Sequence, residues 1–315
     1  MNVPKHIGIL GSGIIGKNWA MIFASAGYKV IIYDIDQEQL INAVNDIQQQ
    51  LKYFEKNQLL RGNLTANEQF NLIESKADIT EVVKNAFFLQ ECIPEVLNLK
   101  QKLYTTIDEI IENETILSSS TSTFLPSILS EGFLHRNQFI VSHPVNPPYF
   151  VPLVEIIPAP WTTIEITKRT RDLMDEVGQS PVVLNREVPG FALNRIQYAI
   201  INECFNLVED GIINVENIDK VMTEGLGMRY AFLGPLETAH LNAEGFSQYC
   251  SNYAESMYAV SKTFKSVPKI TGRTAKIISE ELEKKIPLNK LNEKRKWRDL
   301  SLIKLSQLKK KNCEF

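Results

Sequence analysis

The 315-residue chain is 44% hydrophobic and 23% charged, enough apolar sequence to fill more than one core. Its 34 Lys and Arg against 37 Asp and Glu leave a formal net charge of −3, so there is no basic field to hold nucleic acid, and a small anionic substrate needs a local cation. Cys92, Cys204, Cys250 and Cys313 form no Cys-x-x-Cys pair, which argues against zinc or a disulfide framework and for reduced thiols in the cytoplasm; Met1–His6 carry no signal-type apolar region, and no apolar run reaches the ~20 residues of a membrane span.

In chain order, Ile7-Gly8-Ile9-Leu10 reads as a strand and leads into Gly11-Ser12-Gly13-Ile14-Ile15-Gly16, after which Lys17 to Ala26 is helical and Gly27 closes the helix. Gly-x-Gly-x-x-Gly alone is a weak signal, but between a strand and a helix each glycine has a mechanical reason. Gly11 permits the turn, Gly13 lets a pyrophosphate approach the backbone, and Gly16 allows close packing; Ile14 and Ile15 start the helix on whose N-terminus the phosphates would sit. The next strand, Val30-Ile31-Ile32-Tyr33, ends in Asp34, whose carboxylate suits a free ribose diol and opposes a 2′-phosphate. The expected cofactor is therefore NAD.

From Gln37 to about Leu60 the apolar residues Leu40, Val44, Ile47, Leu51 and Phe54 recur at helical spacing, which predicts one long helix projecting from the sheet. Phe87–Ile93, Ile116–Ser119, Phe139–Val141 and Leu153–Ile157 read as further strands, the rhythm of a Rossmann-type doubly wound α/β sheet. Strand signals stop at Pro189-Gly190, dividing the chain into 1–188, the dinucleotide-binding domain, and 189–315, an all-helical domain for substrate binding and dimerisation. Phe191 to Val208, Asn217–Met222, Leu241–Val260 and Thr274–Lys285 are its helical segments. The basic C-terminal stretch with Lys294-Arg295-Lys296-Trp297-Arg298 reads as a solvated helix face anchored by Trp297 and Leu300, with a polyanion or membrane-surface role as the alternative.

Alcohol oxidation needs a group titrating near neutrality beside the hydroxyl, and histidine is suited to that. Of four histidines, His143 follows the strand Phe139–Val141 at a carboxyl end, where open α/β sheets bind ligands. Glu155 lies within the aliphatic run Leu153–Ile157, where a buried carboxylate needs a partner, and an imidazole serves. A lone histidine at a strand end is also an ordinary structural feature. Ser118-Ser119-Ser120-Thr121-Ser122-Thr123 follows another strand and offers hydroxyls to a substrate oxygen; the same residues equally suit a capping turn.

The glycine fingerprint, Ser120-Thr121-Ser122, His143-Pro144-Val145-Asn146-Pro147, Leu153-Val154-Glu155 and Pro189-Gly190-Phe191-Ala192-Leu193-Asn194-Arg195 together resemble the 3-hydroxyacyl-CoA dehydrogenase family over nearly the whole chain. The resemblance implies His143 as base, Glu155 as its orienting partner, Ser122 and Asn194 around the substrate hydroxyl and nicotinamide, and Asp34, Glu95, Lys100 and Asn146 as cofactor contacts. It also implies a homodimer. Read from the residues alone, Glu95 and Lys100 could equally begin an exposed helix.

Where the acyl-CoA enzymes of that family tend to carry Gly-Tyr-Pro-Met-Gly-Pro, this chain has Gly227-Met228-Arg229-Tyr230-Ala231-Phe232-Leu233-Gly234-Pro235. Arg229 can grip a free carboxylate bidentately in place of thioester recognition, or be a surface arginine. Gly225 to Phe232 and His240-Leu241-Asn242-Ala243-Glu244-Gly245 resemble a branch of the family with L-gulonate 3-dehydrogenase activity. The expected reaction is thus NAD-dependent oxidation of L-gulonate at C3, with 3-hydroxyacyl-CoA or another small 3-hydroxy acid as the rival substrate. The rival of a different class is a structural protein whose activity is incidental.

Overall fold

The computed structural model describes residues 5–311. Met1–Pro4, Cys313 and the side chains of Lys310 and Lys311 lie outside the described residues. Two compact units result, one running to Arg195 and one from Ile196 onward. The first contains β1 (His6–Leu10), α1 (Ile14–Ser25), β2 (Val30–Tyr33), α2 (Gln37–Lys56), α3 (Ala66–Asn71), β3 (Ile73–Lys76), α4 (Ile79–Val83) and β4 (Ala86–Glu91). It continues with α5 (Leu97–Asp108), β5 (Ile116–Ser119), α6 (Pro126–Leu129), β6 (Phe139–Pro144), β7 (Leu153–Pro158), α7 (Ile164–Glu176) and β8 (Ser180–Val183), and holds the first residues of α8 (Leu193–Glu209).

The strands form one sheet in the order β3-β2-β1-β4-β5-β6-β7-β8. From β3 to β6 all neighbours are parallel, β7 turns antiparallel to β6, and β8 is parallel to β7. Strand order reverses between β1 and β4, so the segments leaving β1, β4, β5 and β6 emerge together along one carboxyl edge, where such sheets bind ligands. Alternate strand residues feed opposite faces. Ile7, Ile9, Ile32 and Phe88 enter one buried cluster with Trp19, Phe23 and Ile47, while Leu10, Ile31, Leu89, Phe139 and Val141 enter the other with Tyr104 and Ile107. Each such fully buried apolar side chain contributes ~1.5–3 kcal/mol relative to exposure.

The six strands expected from apolar runs are present, and two more, β3 and β8, flank them at the sheet's ends. Both are four residues long and partly polar or exposed, which left no apolar run to read. α2 does not project. Its stripe of Leu40, Ala43, Ile47, Leu51 and Phe54 is buried, and all but Ala43 belong to the first core cluster, because a stripe of that width must be covered. Asp36 caps the helix by accepting the Gln39 N–H at 3.0 Å.

In the second unit α8 is followed by α9 (Val215–Lys220), a π-helical turn (Val221–Leu226), α10 (Gly227–Tyr230), α11 (Pro235–Leu241), α12 (Phe246–Ser261), α13 (Gly272–Lys285) and α14 (Leu291–Lys311). Its described residues contain no strand. The single segment expected over Leu241–Val260 is two helices, because Gly245 between them adopts φ 104°. On α14 the expected anchors are not buried: Trp297 is 58% and Leu300 41% exposed, and among the described side chains of the helix Ile303 is the buried one. Lys294 lies over the Trp297 ring instead.

Candidate active site

The turn after β1 has the shape of a phosphate cradle. Gly11 takes φ 105°, and a Cβ there would lie 2.8 Å from the Cys92 carbonyl carbon. A Cβ on Gly16 would lie 1.9 Å from the Gly11 oxygen, so both positions are closed to any side chain. A Cβ on Gly13 would meet nothing within 4 Å, so that face of the turn is open. Gly13 is also the N-cap of α1, with no side-chain cap and no acid in the first turn. The backbone N–H groups of Ile14, Ile15 and Gly16 are thus offered to an anion.

Asp34 closes the far end of the cradle, 7% exposed at the end of β2. Its Oδ2 accepts the Ser12 N–H and hydroxyl, each at 2.7 Å, and Gln39 Nε2 at 2.8 Å; Oδ1 accepts the Asp36 N–H at 3.0 Å. Burial pushes the carboxyl up, but these bonds outweigh it and hold Asp34 below the ordinary 3.8. The open glycine, the uncapped helix and the ionised acid together fit a dinucleotide with a free ribose diol.

Past β4 lies a charged set that the sequence reading did not assemble. Glu91 Oε1 accepts Lys100 Nζ and the Ile93 N–H, both at 2.7 Å, and Oε2 accepts the hydroxyls of Tyr104 at 2.5 Å and Ser119 at 2.6 Å. Lys100 is buried, not the start of an exposed helix, and also pairs with Glu95 Oε2 at 3.3 Å. Glu95 Oε1 gathers the Thr121 hydroxyl at 2.5 Å and the N–H groups of Ser122 at 2.9 Å and Thr123 at 3.2 Å. Burial raises the Glu95 carboxyl, but the Thr121 bond and the Lys100 charge bring it below its usual value. The hydroxyl cluster is thereby a loop tied to two carboxylates. A carboxylate inside the apolar run Phe87–Ile93 was the available signal for Glu91, the same one that marked Glu155.

His143 and Glu155 stand directly opposite one another in the antiparallel register of β6 and β7. Nδ1 of His143 lies 2.8 Å from Glu155 Oε2, with both side chains buried. Oε1 of Glu155 accepts the N–H groups of Ala192 at 2.8 Å and Leu193 at 2.9 Å, just at the start of α8. Burial raises Glu155, but the His143 bond and these two amides leave it below the ordinary 4.5. The carboxylate therefore accepts a hydrogen bond from Nδ1–H, the tautomer that leaves the Nε2 lone pair free to act as base. Phe191, fully buried, sets its ring 5.5 Å from the imidazole, and it does so at φ 53°, an unusual conformation for an aromatic residue. Phe191 was missed as a site residue, since no pattern in sequence announces a positive φ.

Asn194, buried on the first turn of α8, donates Nδ2 to the Ser122 carbonyl at 2.8 Å. This bond brings the Ser122 loop to the segment that Glu155 caps. The Ser122 and Asn146 side chains are exposed on the same edge of the sheet. The segment carrying Asn146 is held from behind by Arg61, whose guanidinium donates to the carbonyls of Tyr149 at 3.2 Å, Val177 at 2.9 Å and Gly178 at 2.8 Å. Arg229 lies in the second unit, exposed on α10.

The family model described as the 3-hydroxyacyl-CoA dehydrogenase NAD binding domain matches residues 6–188, and that of the C-terminal domain matches residues 190–276. A lambda-crystallin homolog of Homo sapiens is 48% identical over 303 residues, covering 96% of this chain and 95% of the relative. An L-carnitine dehydrogenase of Bacillus cereus is 30% identical over 311 residues, covering 98% of this chain and 94% of the relative. Among solved structures, the NAD-dependent 5-formyl-3-hydroxy-2-methylpyridine 4-carboxylic acid 5-dehydrogenase has the same fold, with a TM-score of 0.79 at 23% identity over 98% of this chain and 99% of that one.

Proposed function

The chain belongs to the 3-hydroxyacyl-CoA dehydrogenase family of NAD-dependent oxidoreductases, and from that premise we propose that it oxidises L-gulonate at C3 to 3-dehydro-L-gulonate, with His143 as general base. The observation that carries this reading is the 2.8 Å pair of His143 Nδ1 with the buried Glu155, set beside a hydroxyl loop at the carboxyl edge. NAD, when bound, supplies the hydride acceptor. Gly11, Gly13, Ile14, Ile15 and Gly16 would hold its pyrophosphate and Asp34 its ribose; Glu95 and Asn146, both exposed, would contact it farther along, and the buried Lys100 would act through its pair with Glu95. His143 Nε2 takes the C3 hydroxyl proton. The positive charge this creates on the ring is balanced by the Glu155 carboxylate, already in place to receive it. Ser122 and Asn194 orient the hydroxyl, so that proton and hydride leave from one fixed geometry.

We favour a free acid over an acyl-CoA because Arg229 lies in the stretch where the family's acyl-CoA enzymes tend to carry Gly-Tyr-Pro-Met-Gly-Pro; a guanidinium is suited to bidentate binding of the C1 carboxylate. L-Carnitine, named for one relative, is likewise a free 3-hydroxy carboxylate. The test is NADH formation when the purified chain is offered L-gulonate, with 3-hydroxybutyrate, its CoA ester and NADP as controls. Activity on L-gulonate with NAD, exceeding that on the CoA ester, supports the reading, and the reverse preference overturns it.

We propose further that the chain is a cytoplasmic homodimer formed through its helical unit. Ile196 at 60%, Tyr198 at 46% and Met257 at 52% exposure leave apolar faces on α8 and α12 that a second copy would cover. Light scattering on the eluted protein reads the mass directly. Among the described residues no helix is long and apolar enough to cross a membrane.

A further inference from the structure

Between the glycine turn on β1 and His143 on β6, the strand order places β4 and β5. The residues that leave these two strands are therefore the ones a dinucleotide passes before its redox-active end reaches the base. Glu91 ends β4, Lys100 and Tyr104 lie on α5, Ser119 ends β5, and Glu95 lies in the segment joining β4 to α5. Each oxygen of Glu91 has two hydrogen-bond partners. On Oε1 the donors are a lysine side chain and a backbone N–H, which cannot accept, so that oxygen serves as an acceptor for both. Glu95 likewise receives hydroxyl and N–H donors on Oε1 and the Lys100 ammonium on Oε2.

Two carboxylates and one ammonium leave the set with one net negative charge. The Glu91 and Lys100 side chains are 0% and 1% exposed, so water screens that charge poorly. Folding does not call for it, because a buried ion pair is often no more stabilising than apolar residues of the same volume. The nicotinamide ring of NAD is cationic and that of NADH is neutral, whereas adenosine and pyrophosphate are common to both. A fixed charge near the ring therefore acts on the difference between the two forms.

We infer that Glu91, through the net negative charge it shares with Lys100 and Glu95, is a specificity-determining residue that raises the affinity of the site for the oxidised cofactor relative to the reduced one. Its carboxylate is the counter-charge that turns a locally neutral Lys100–Glu95 pair into an anionic one. It biases the site toward holding NAD ready for oxidation and toward releasing NADH afterwards. The inference rests on the reading of this edge as the NAD site.

The test is equilibrium titration of the full chain with NAD and with NADH separately, followed by calorimetry, for the parent and for Glu91→Gln, Glu95→Gln and Tyr104→Phe. The ratio of the two dissociation constants, Kd for NAD over Kd for NADH, should rise several-fold in each of the two neutralised variants, because loss of a poorly screened negative charge weakens binding of the cationic form alone. Tyr104→Phe removes a bond from the same network without changing its charge, so it should weaken both forms alike and leave the ratio where it was. A purely structural role predicts that pattern for all three variants. An unchanged ratio in the neutralised variants overturns the inference. Should Glu91→Gln fail to fold, Glu95→Gln decides, since that side chain is 38% exposed. A parent chain that binds neither cofactor overturns the NAD-site reading as well, whereas binding of both with an indifferent ratio overturns only the charge effect.

Discussion

Glu155 Oε1 accepts the backbone N–H of Leu193, the first residue of α8, at 2.9 Å. The other oxygen of the same carboxylate faces His143, so one side chain sets both the aim of the imidazole and the start of the helix. Glu155→Gln keeps the shape but must turn an amide donor toward either His143 or the Ala192 and Leu193 amides. Turnover should fall by about 10²-fold with the Michaelis constant for NAD little changed, and stability by ~1–3 kcal/mol for the donor left unpaired. Steady-state kinetics and urea unfolding on one preparation separate the two effects.

The same carboxylate gives the fold an acid limb. Its folded-state value lies below the ordinary 4.5, so the stabilisation is complete above that value, declines as the pH falls past it, and is gone once the pH is below the folded value. Asp34, held below 3.8, acts in the same direction at lower pH. Unfolding free energies measured from neutrality down through this window should fall less steeply for Glu155→Gln than for the parent. Identical slopes would show that the pairing carries no linkage.

Removal of the base is the direct test of the chemistry. His143→Gln should lower the turnover number by ~10²–10⁴-fold while NAD still binds, because the cradle lies on β1 and β2 and not on β6. Near-normal turnover would remove His143 from the mechanism.

The glycines of the fingerprint should separate binding from folding. Gly13→Ala places its methyl in open space, so the variant should fold as the parent does and lose affinity for NAD. Gly16→Ala drives a methyl to 1.9 Å from the Gly11 carbonyl, a clash with backbone that should cost ~1–3 kcal/mol or more and be read as a lowered Tm. Equal behaviour of the two variants would contradict the division of roles.

Arg229→Lys keeps the charge and loses the bidentate fork. If Arg229 grips the substrate carboxylate, the Michaelis constant for the acid should rise about tenfold, the effect of losing ~1.4 kcal/mol, with NAD affinity unaltered. An unchanged constant would leave Arg229 with no part in holding the acid.

The legible parts of this molecule are those encoded by local pattern. The glycine turn, Asp34 and the buried strands could be read because each is fixed by spacing of a few residues and by continuous apolar runs. α2 was legible as a helix from its stripe, but not in its placement, since periodicity says which face is covered and nothing about what covers it. Glu91 and Arg61 escaped because their partners are distant: Glu91 meets Ser119 on the neighbouring strand, and Arg61 meets Gly178, 117 residues away. The opposition of His143 and Glu155 could be suspected from an acid in an aliphatic run, but only the antiparallel register of β7 makes the two face each other.

The two short strands that the sequence did not announce decide how the sheet ends. The N–H groups of Ser180 in β8 and of Leu184 just after it bond the carbonyls of Pro152 and Ile156, so Pro181 turns toward the open edge a position with no N–H to offer. At the other end β3 presents Glu74 and Lys76, each paired with a neighbouring charge. Each feature weakens its edge as a template for a further strand, the usual beginning of sheet-to-sheet aggregation. Such interruptions make pairing of one copy's sheet with another's less favourable, whatever the helical faces do.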